Sequence, residues 1–249
     1  HRVDRRQRQM CIRDRLISTS LAPHAPYSVS NNTFELINTY AEQLDLTIHT
    51  HLHESLSEIE ESKKQFGTTP IERLDDLGLL SPKLMAAHCV HLSERDINLL
   101  ASNGVSSIIN ISSNMKLGSG LPNIFELVNK NINVAVGTDS SASNNRLDML
   151  TESRSNILIS KALAMKTEFL NPAEILRMAT INGAKALNLD RKTGSIEKGK
   201  YADLIAVNLD TIESQPCYDP LSSLVYCADR NSIEYVWING EIKLKGGEL

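Results

Sequence analysis

Five short apolar runs, alternating with stretches of helical spacing, constrain this chain more than any single motif does. Residues 16–21, 44–53, 83–89, 105–111 and 134–139 read as strands. Between and after them the spacing predicts helices over 30–44, 55–66, 70–77, 93–103 and 122–131, and further helices over 147–189. Such alternation argues for parallel β/α units, hence an α/β fold. His24, His51, Glu54, His88 and Asp139 all fall at the C-terminal ends of these runs. That is the rim on which a β/α barrel assembles an active site.

The densest chemistry lies in Ile48-His49-Thr50-His51-Leu52-His53-Glu54-Ser55. Alternate side chains of a strand share a face, so His49, His51 and His53 are expected to point the same way. Glu54 has the opposite parity and is expected just past the strand end, where a loop turns it back. Three imidazoles beside a carboxylate suit a metal site with an adjacent proton carrier. Taken alone, the stretch is equally compatible with a His-rich strand end that holds no metal.

The chain has 249 residues, enough for one large domain. Apolar residues make up 41% and charged residues 22%, the balance of an ordinary globular protein. A net charge of −4 gives no support for a nucleic-acid or anionic-membrane partner. No apolar run approaches the roughly 18 residues of a membrane span. Cys11, Cys89, Cys217 and Cys227 form no C-x-x-C pair, as expected of free thiols in a reducing cytoplasm. Residues 1–15 are Arg-dense without a period and read as a non-native or unstructured leader. After 190 the pattern changes to turns, a strand near 201–207, and a hairpin of 233–238 with 241–244 across Asn239-Gly240. Trp237 reads as core of this β appendage, which spans 191–249.

Several stretches, taken in order, resemble the amidohydrolase superfamily, in particular its 5′-methylthioadenosine/S-adenosylhomocysteine deaminases in the chlorohydrolase-like branch. They are Ala22-Pro23-His24-Ala25-Pro26-Tyr27, His49 to Ser55, Ala87-His88-Cys89-Val90-His91-Leu92, and Ser113-Asn114-Met115-Lys116-Leu117-Gly118-Ser119-Gly120. Gly137-Thr138-Asp139 with Ser143-Asn144-Asn145, Ala179-Thr180-Ile181-Asn182-Gly183-Ala184, and Gly199-Lys200-Tyr201-Ala202-Asp203-Leu204 follow. The resemblance implies a partial TIM barrel, strands 4 to 8, over 16–190, followed by a small β-sandwich portion. It implies His51 and Asp139 as ligands of one zinc, with iron or manganese as alternatives. Glu54 becomes the general acid/base, His88 the group that orients the nucleophile, and Asp139 a second proton carrier. His24, Glu54 and Asp139 would contact a small nucleoside substrate. His49, His53 and His91 would serve packing or support.

This chain also departs from the family pattern. The family's strand-1 His-x-His pair has no counterpart among His1, His24, His49, His51, His53, His88 and His91. Ile109 and Ile111 stand where a strand-7 His and Pro are usual, and Ser140 where Gly follows the aspartate. The expectation is therefore the C-terminal portion of a cytoplasmic deaminase, inactive alone and homo-oligomeric if it follows its family. Another amidohydrolase of guanine-deaminase or chlorohydrolase type, and a degenerate partner subunit, are the alternatives.

Overall fold

The computed structural model describes residues 17–248, so the 1–15 leader reading and Leu16 lie outside the described residues. Strands β1 (Ile48–Leu52), β2 (Leu84–His88), β3 (Ser106–Ile109) and β4 (Val134–Val136) form one parallel sheet in chain order. Register runs from Ile48 opposite Leu84 to Ile109 opposite Val136. Parallel neighbours need crossovers, and helices supply them. Ahead of β1 lies α1 (Asn31–Leu44); α2 (Leu56–Phe66) and α3 (Pro70–Asp76) follow it; α4 (Glu94–Ser102) follows β2. After β3 come α5 (Ile111–Leu117) and α6 (Ile124–Asn129), and after β4 come α7 (Met149–Ala164), α8 (Pro172–Ala179) and α9 (Ile181–Ala186). Every residue of β2 is buried, as a strand covered on both faces requires.

Local chemistry sets the helix ends. Ser55, Thr69, Ser93 and Asn171 each accept the N3 amide of the helix they precede. Gly67 closes α2 in the left-handed conformation, φ 77°. Asp148 caps α7, accepting Leu150 N at 3.0 Å and the Thr151 hydroxyl at 2.7 Å. Burial alone would raise its pKa, but these donors outweigh burial and hold it below the usual carboxylate value. Asp148→Ala is expected to cost about 1–2 kcal/mol in urea unfolding. Because the folded pKa is depressed, that difference is present above about pH 4. It closes as pH falls through the folded-state value.

Three strand expectations shift. Residues 17–20 form no strand; only Leu21 pairs, as a parallel bridge to Ile48, with His49 N donating to Leu21 O at 2.8 Å. Pro23 and Pro26 follow directly and have no amide to continue a ladder. The apolar alternation of 44–47 is a helix exit rather than a strand. Asp45 turns left-handed at φ 51° and its amide returns to Ala41 O. The run expected as a strand over 105–111 is strand only over Ser106–Ile109, and Ile111 already opens α5.

Strands β5 (Leu204–Val207), β6 (Ile233–Ile238) and β7 (Glu241–Lys245) make a separate antiparallel sheet. The expected Asn239-Gly240 hairpin joins β6 and β7, with φ 52° and 80° at the two turn residues. This is a single sheet among the described residues, not a sandwich. Trp237 is accordingly half-buried, stacked on Tyr235 at 5.5 Å and 15°. A helix α10 (Pro220–Tyr226), absent from the sequence expectations, packs against α7 and α8. No helix of the described residues is long and apolar enough to cross a membrane.

Candidate active site

β1 buries Ile48, Thr50 and Leu52, which leaves His49 and His51 on the opposite face. His53 breaks the expected alternation. Its φ of 53° lies in the left-handed region, and its ring is fully buried. Nδ1 of His53 donates to His91 O at 2.9 Å, and Nε2 accepts Ile71 N at 3.4 Å. This imidazole is therefore a structural plug between α3 and the β2 loop. The same left-handed step returns Glu54 toward the rim.

Glu54 is held by its oxygens. Ser119 Oγ donates to Oε1 at 3.1 Å, and His88 Nε2 lies 3.8 Å from Oε2. His88 is 1% exposed, and its Nδ1 meets Asn114 Oδ1 at 2.7 Å. A neutral His88 that donates through Nδ1 to Asn114 Oδ1 keeps its Nε2 lone pair toward the rim. The His51 ring lies between His88, 5.1 Å away, and His24, 5.0 Å away. Burial first, then His88 and His24, push the His51 pKa down, against the pull of Glu54 and Asp139. His51 is thus a neutral nitrogen donor at pH 7. His49 shares that face, and partial desolvation followed by His51 and His88 lowers its pKa too.

Asp139 follows β4 with φ 62°. Its Oδ2 accepts both Ser113 Oγ and Ser143 Oγ at 2.6 Å, and Oδ1 accepts Ser140 N at 2.7 Å. Burial opposes ionisation, but those three donors prevail, and the pKa falls below the ordinary aspartate value. His24 is exposed at the rim, its Nδ1 2.8 Å from Ser28 Oγ. Non-glycine residues with positive φ at His53, His88, Cys89 and Asp139 cluster at these strand ends. Each such conformation costs about 1–3 kcal/mol and persists only where its surroundings enforce it.

His24, His51, Glu54, His88 and Asp139 therefore share one end of the parallel sheet. The supporting groups Ser113, Asn114, Ser119 and Ser143 lie inside the motif stretches but carried no expected role. Ser113 and Asn114 sit in α5, Ser119 just past it and Ser143 in the loop after β4, so no strand-end pattern marked them. Among the described residues, no three His, Cys, Asp or Glu side chains are gathered closely enough to hold a metal. His51 and Asp139 offer the nitrogen and oxygen chemistry of a divalent-cation site, but a site normally takes at least three protein ligands. At least one further donor would be required.

A sequence profile of the amidohydrolase family matches residues 3–243. The 5-methylthioadenosine/S-adenosylhomocysteine deaminase of Teredinibacter turnerae is 42% identical over 237 residues, covering 94% of this chain and 53% of that protein. That of Pyrococcus furiosus is 41% identical, covering 94% and 55%. A zinc-bound adenosine deaminase from Xanthomonas campestris superposes with TM-score 0.92 at 45% identity, covering 94% and 53%. A zinc complex of atrazine chlorohydrolase from Arthrobacter aurescens gives 0.83 at 28% identity, covering 88% and 48%. The chain spans about half the length of the curated relatives it matches.

Proposed function

The chain belongs to the amidohydrolase family, and on that footing we propose that its site serves hydrolytic deamination of an adenosine derivative. 5′-Methylthioadenosine and S-adenosylhomocysteine are the favoured substrates, because relatives about 40% identical carry that name. One observation carries the reading: His51, Glu54, His88 and Asp139 come from three different strand ends and meet at one rim. In this reading the four-stranded parallel sheet is an arc of a TIM barrel, strands 5 to 8, with the Leu21 bridge marking strand 4. Residues 16–190 form the barrel portion and 191–249 the β appendage.

The reaction consumes one water, places its oxygen on C6 of the purine and releases the amino group as ammonia. His51 and Asp139 would hold the divalent cation, zinc or else iron or manganese. Such a cation supplies ionised water at neutral pH by lowering the water pKa to about 7. Glu54 takes up the proton released as the water ionises and gives it to the ring nitrogen beside C6, neutralising the charge that attack creates. Ser119 fixes the carboxyl plane in which that proton moves. The Nε2 lone pair of His88 orients the nucleophile. Asp139, ionised at neutral pH, takes the proton of the attacking oxygen and passes it to the departing amine. His24 contacts the substrate from the rim.

A substrate panel tests the reading. The longest product of the gene is assayed for ammonia release from 5′-methylthioadenosine, S-adenosylhomocysteine and guanine, and for chloride release from a chlorotriazine. The thioether nucleosides are expected to react. Turnover of guanine or the triazine alone would replace the substrate assignment, and no turnover of any would remove the enzymatic one. Metal analysis of the 249-residue chain is expected to find less than one equivalent of zinc. A tight full equivalent, with deamination, would show that two donors from this half suffice.

A further inference from the structure

Glu58 and Glu152 are buried carboxylates, 2% and 1% exposed, and neither forms an ion pair among the described residues. Buried carboxylates are expensive unless their lone pairs are used. Both sit in the first turn of the helix that follows a site acid: Glu58 in α2, after Glu54, and Glu152 in α7, after Asp139. Glu58 spends both oxygens on the loop that carries Glu54, whereas Glu152 spends one on the Asp139 loop and one on the first turn of α5, whose Ser113 holds Asp139. Glu58 Oε2 accepts Glu54 N at 2.9 Å, and Oε1 accepts His53 N at 3.2 Å. Glu152 Oε1 accepts Asn144 Nδ2 at 2.7 Å, and Oε2 accepts Ser112 N at 3.3 Å.

The bonds fall at telling positions. The amides of His53 and Glu54 flank the left-handed step that returns Glu54 to the rim. Ser112 and Asn144 immediately adjoin Ser113 and Ser143, the two hydroxyls that share Asp139 Oδ2. Asn144 also donates to Thr138 O at 3.0 Å, the residue before Asp139. Two separate helices thus apply the same device to two separate acids. Charged acceptors make the stronger hydrogen bonds, and each helix N-terminus favours negative charge at that place.

We propose that Glu58 and Glu152 are positioning residues that lash the Glu54 loop and the Asp139 loop to the helices behind them, fixing where both acids present their oxygens. The loop-holding half of this proposal stands on geometry alone; the catalytic half rests on the deaminase reading.

The test separates the two halves. Glu58→Gln and Glu152→Gln keep side-chain shape but give up one acceptor oxygen and the charge. Amide exchange in the 249-residue chain is expected to speed up about 10–100-fold at His53 or Glu54 in the first variant and at Ser112 in the second. Amides of Ile108 and Ile109 in β3 are the control and should not change. In the longest gene product, each variant is expected to lose about 10–100-fold in kcat with KM nearly constant, the mark of a misaimed group. Glu58→Asp, one methylene short, should not restore kcat. Unchanged exchange at the named amides overturns the proposal. Uniformly faster exchange, β3 included, would show only general destabilisation and also overturns it. Faster local exchange with full kcat would overturn positioning for catalysis. An inactive wild type beside faster local exchange would sink the deaminase reading and leave the lashing intact.

Discussion

In the proposed deamination, Glu54→Gln is expected to lower the rate by about 10²–10⁴-fold, the usual contribution of a positioned acid/base. The amide keeps the volume of the carboxyl, and its remaining oxygen still accepts the Ser119 hydroxyl that now reaches Oε1. The backbone bonds from His53 and Glu54 to Glu58 do not involve the replaced group. The loop should therefore stay in place, and KM should change little. What disappears is the transferable proton. His88 does not replace it in this geometry: its Nδ1 faces Asn114, and only Nε2 is turned toward the rim. Steady-state rates with 5′-methylthioadenosine, measured on the longest gene product with its metal content checked, decide the matter. A kcat within a few-fold of wild type at unchanged metal content would take the acid role away from Glu54.

The same residues show what was legible in the sequence. β1 to β4 and their order followed from apolar runs punctuated by capping residues and glycines, because those signals are local. The position of His51, Glu54, His88 and Asp139 at strand ends followed too, since chain order and strand end suffice to place a residue on a rim. The fate of His53 was not legible. Period-two reasoning assumes that the strand continues, whereas His53 is left-handed and its ring plugs a gap between α3 and the β2 loop. The run of 44–47 misled because its apolar alternation has no counterpart in burial: Leu44 and Asp45 are exposed and Leu46 and Thr47 half-buried, at a helix exit through left-handed Asp45. Glu58 and Glu152 carried no local signal at all. An acid in a first helical turn is ordinarily a solvated, dipole-matching residue. Only the tertiary structure shows these two buried with their oxygens turned onto loops.

Arg73→Met is expected to cost about 3–4 kcal/mol of stability, since it removes three hydrogen bonds from a charged donor at roughly 1.5–3 kcal/mol each, one of them to the buried Pro26 carbonyl. Arg73 is 3% exposed. Its guanidinium reaches Pro26 O at 2.5 Å, Val29 O at 2.9 Å and Asn31 Oδ1 at 2.7 Å. It also lies 4.0 Å from the Phe66 ring centre and 5.6 Å from that of Phe34. Burial lowers its pKa, but a guanidinium remains charged at neutral pH. Neutral carbonyls and aromatic faces, not a carboxylate, compensate that charge among the described residues. Methionine keeps the contact with both rings and removes all three bonds at once. Relief of the buried charge, and the access of water to exposed Asn31 and half-buried Val29, offset part of the loss, which holds the estimate below the sum of three charge-assisted bonds. Lysine is a poor substitute, because one ammonium cannot reproduce a fork that grips three acceptors. Arg73→Lys should recover less than half of the difference. Urea unfolding should show a lower midpoint at constant slope, and the melting temperature should drop by roughly 6–15 °C. The effect should spread to the rim, because the tethered segment runs directly on from His24 and Tyr27, whose rings meet edge to face at 5.5 Å. A loss under 1 kcal/mol would mean that water replaces the guanidinium at little cost. The His24 segment would then owe its position to its prolines and to the His51 N bond to His24 O.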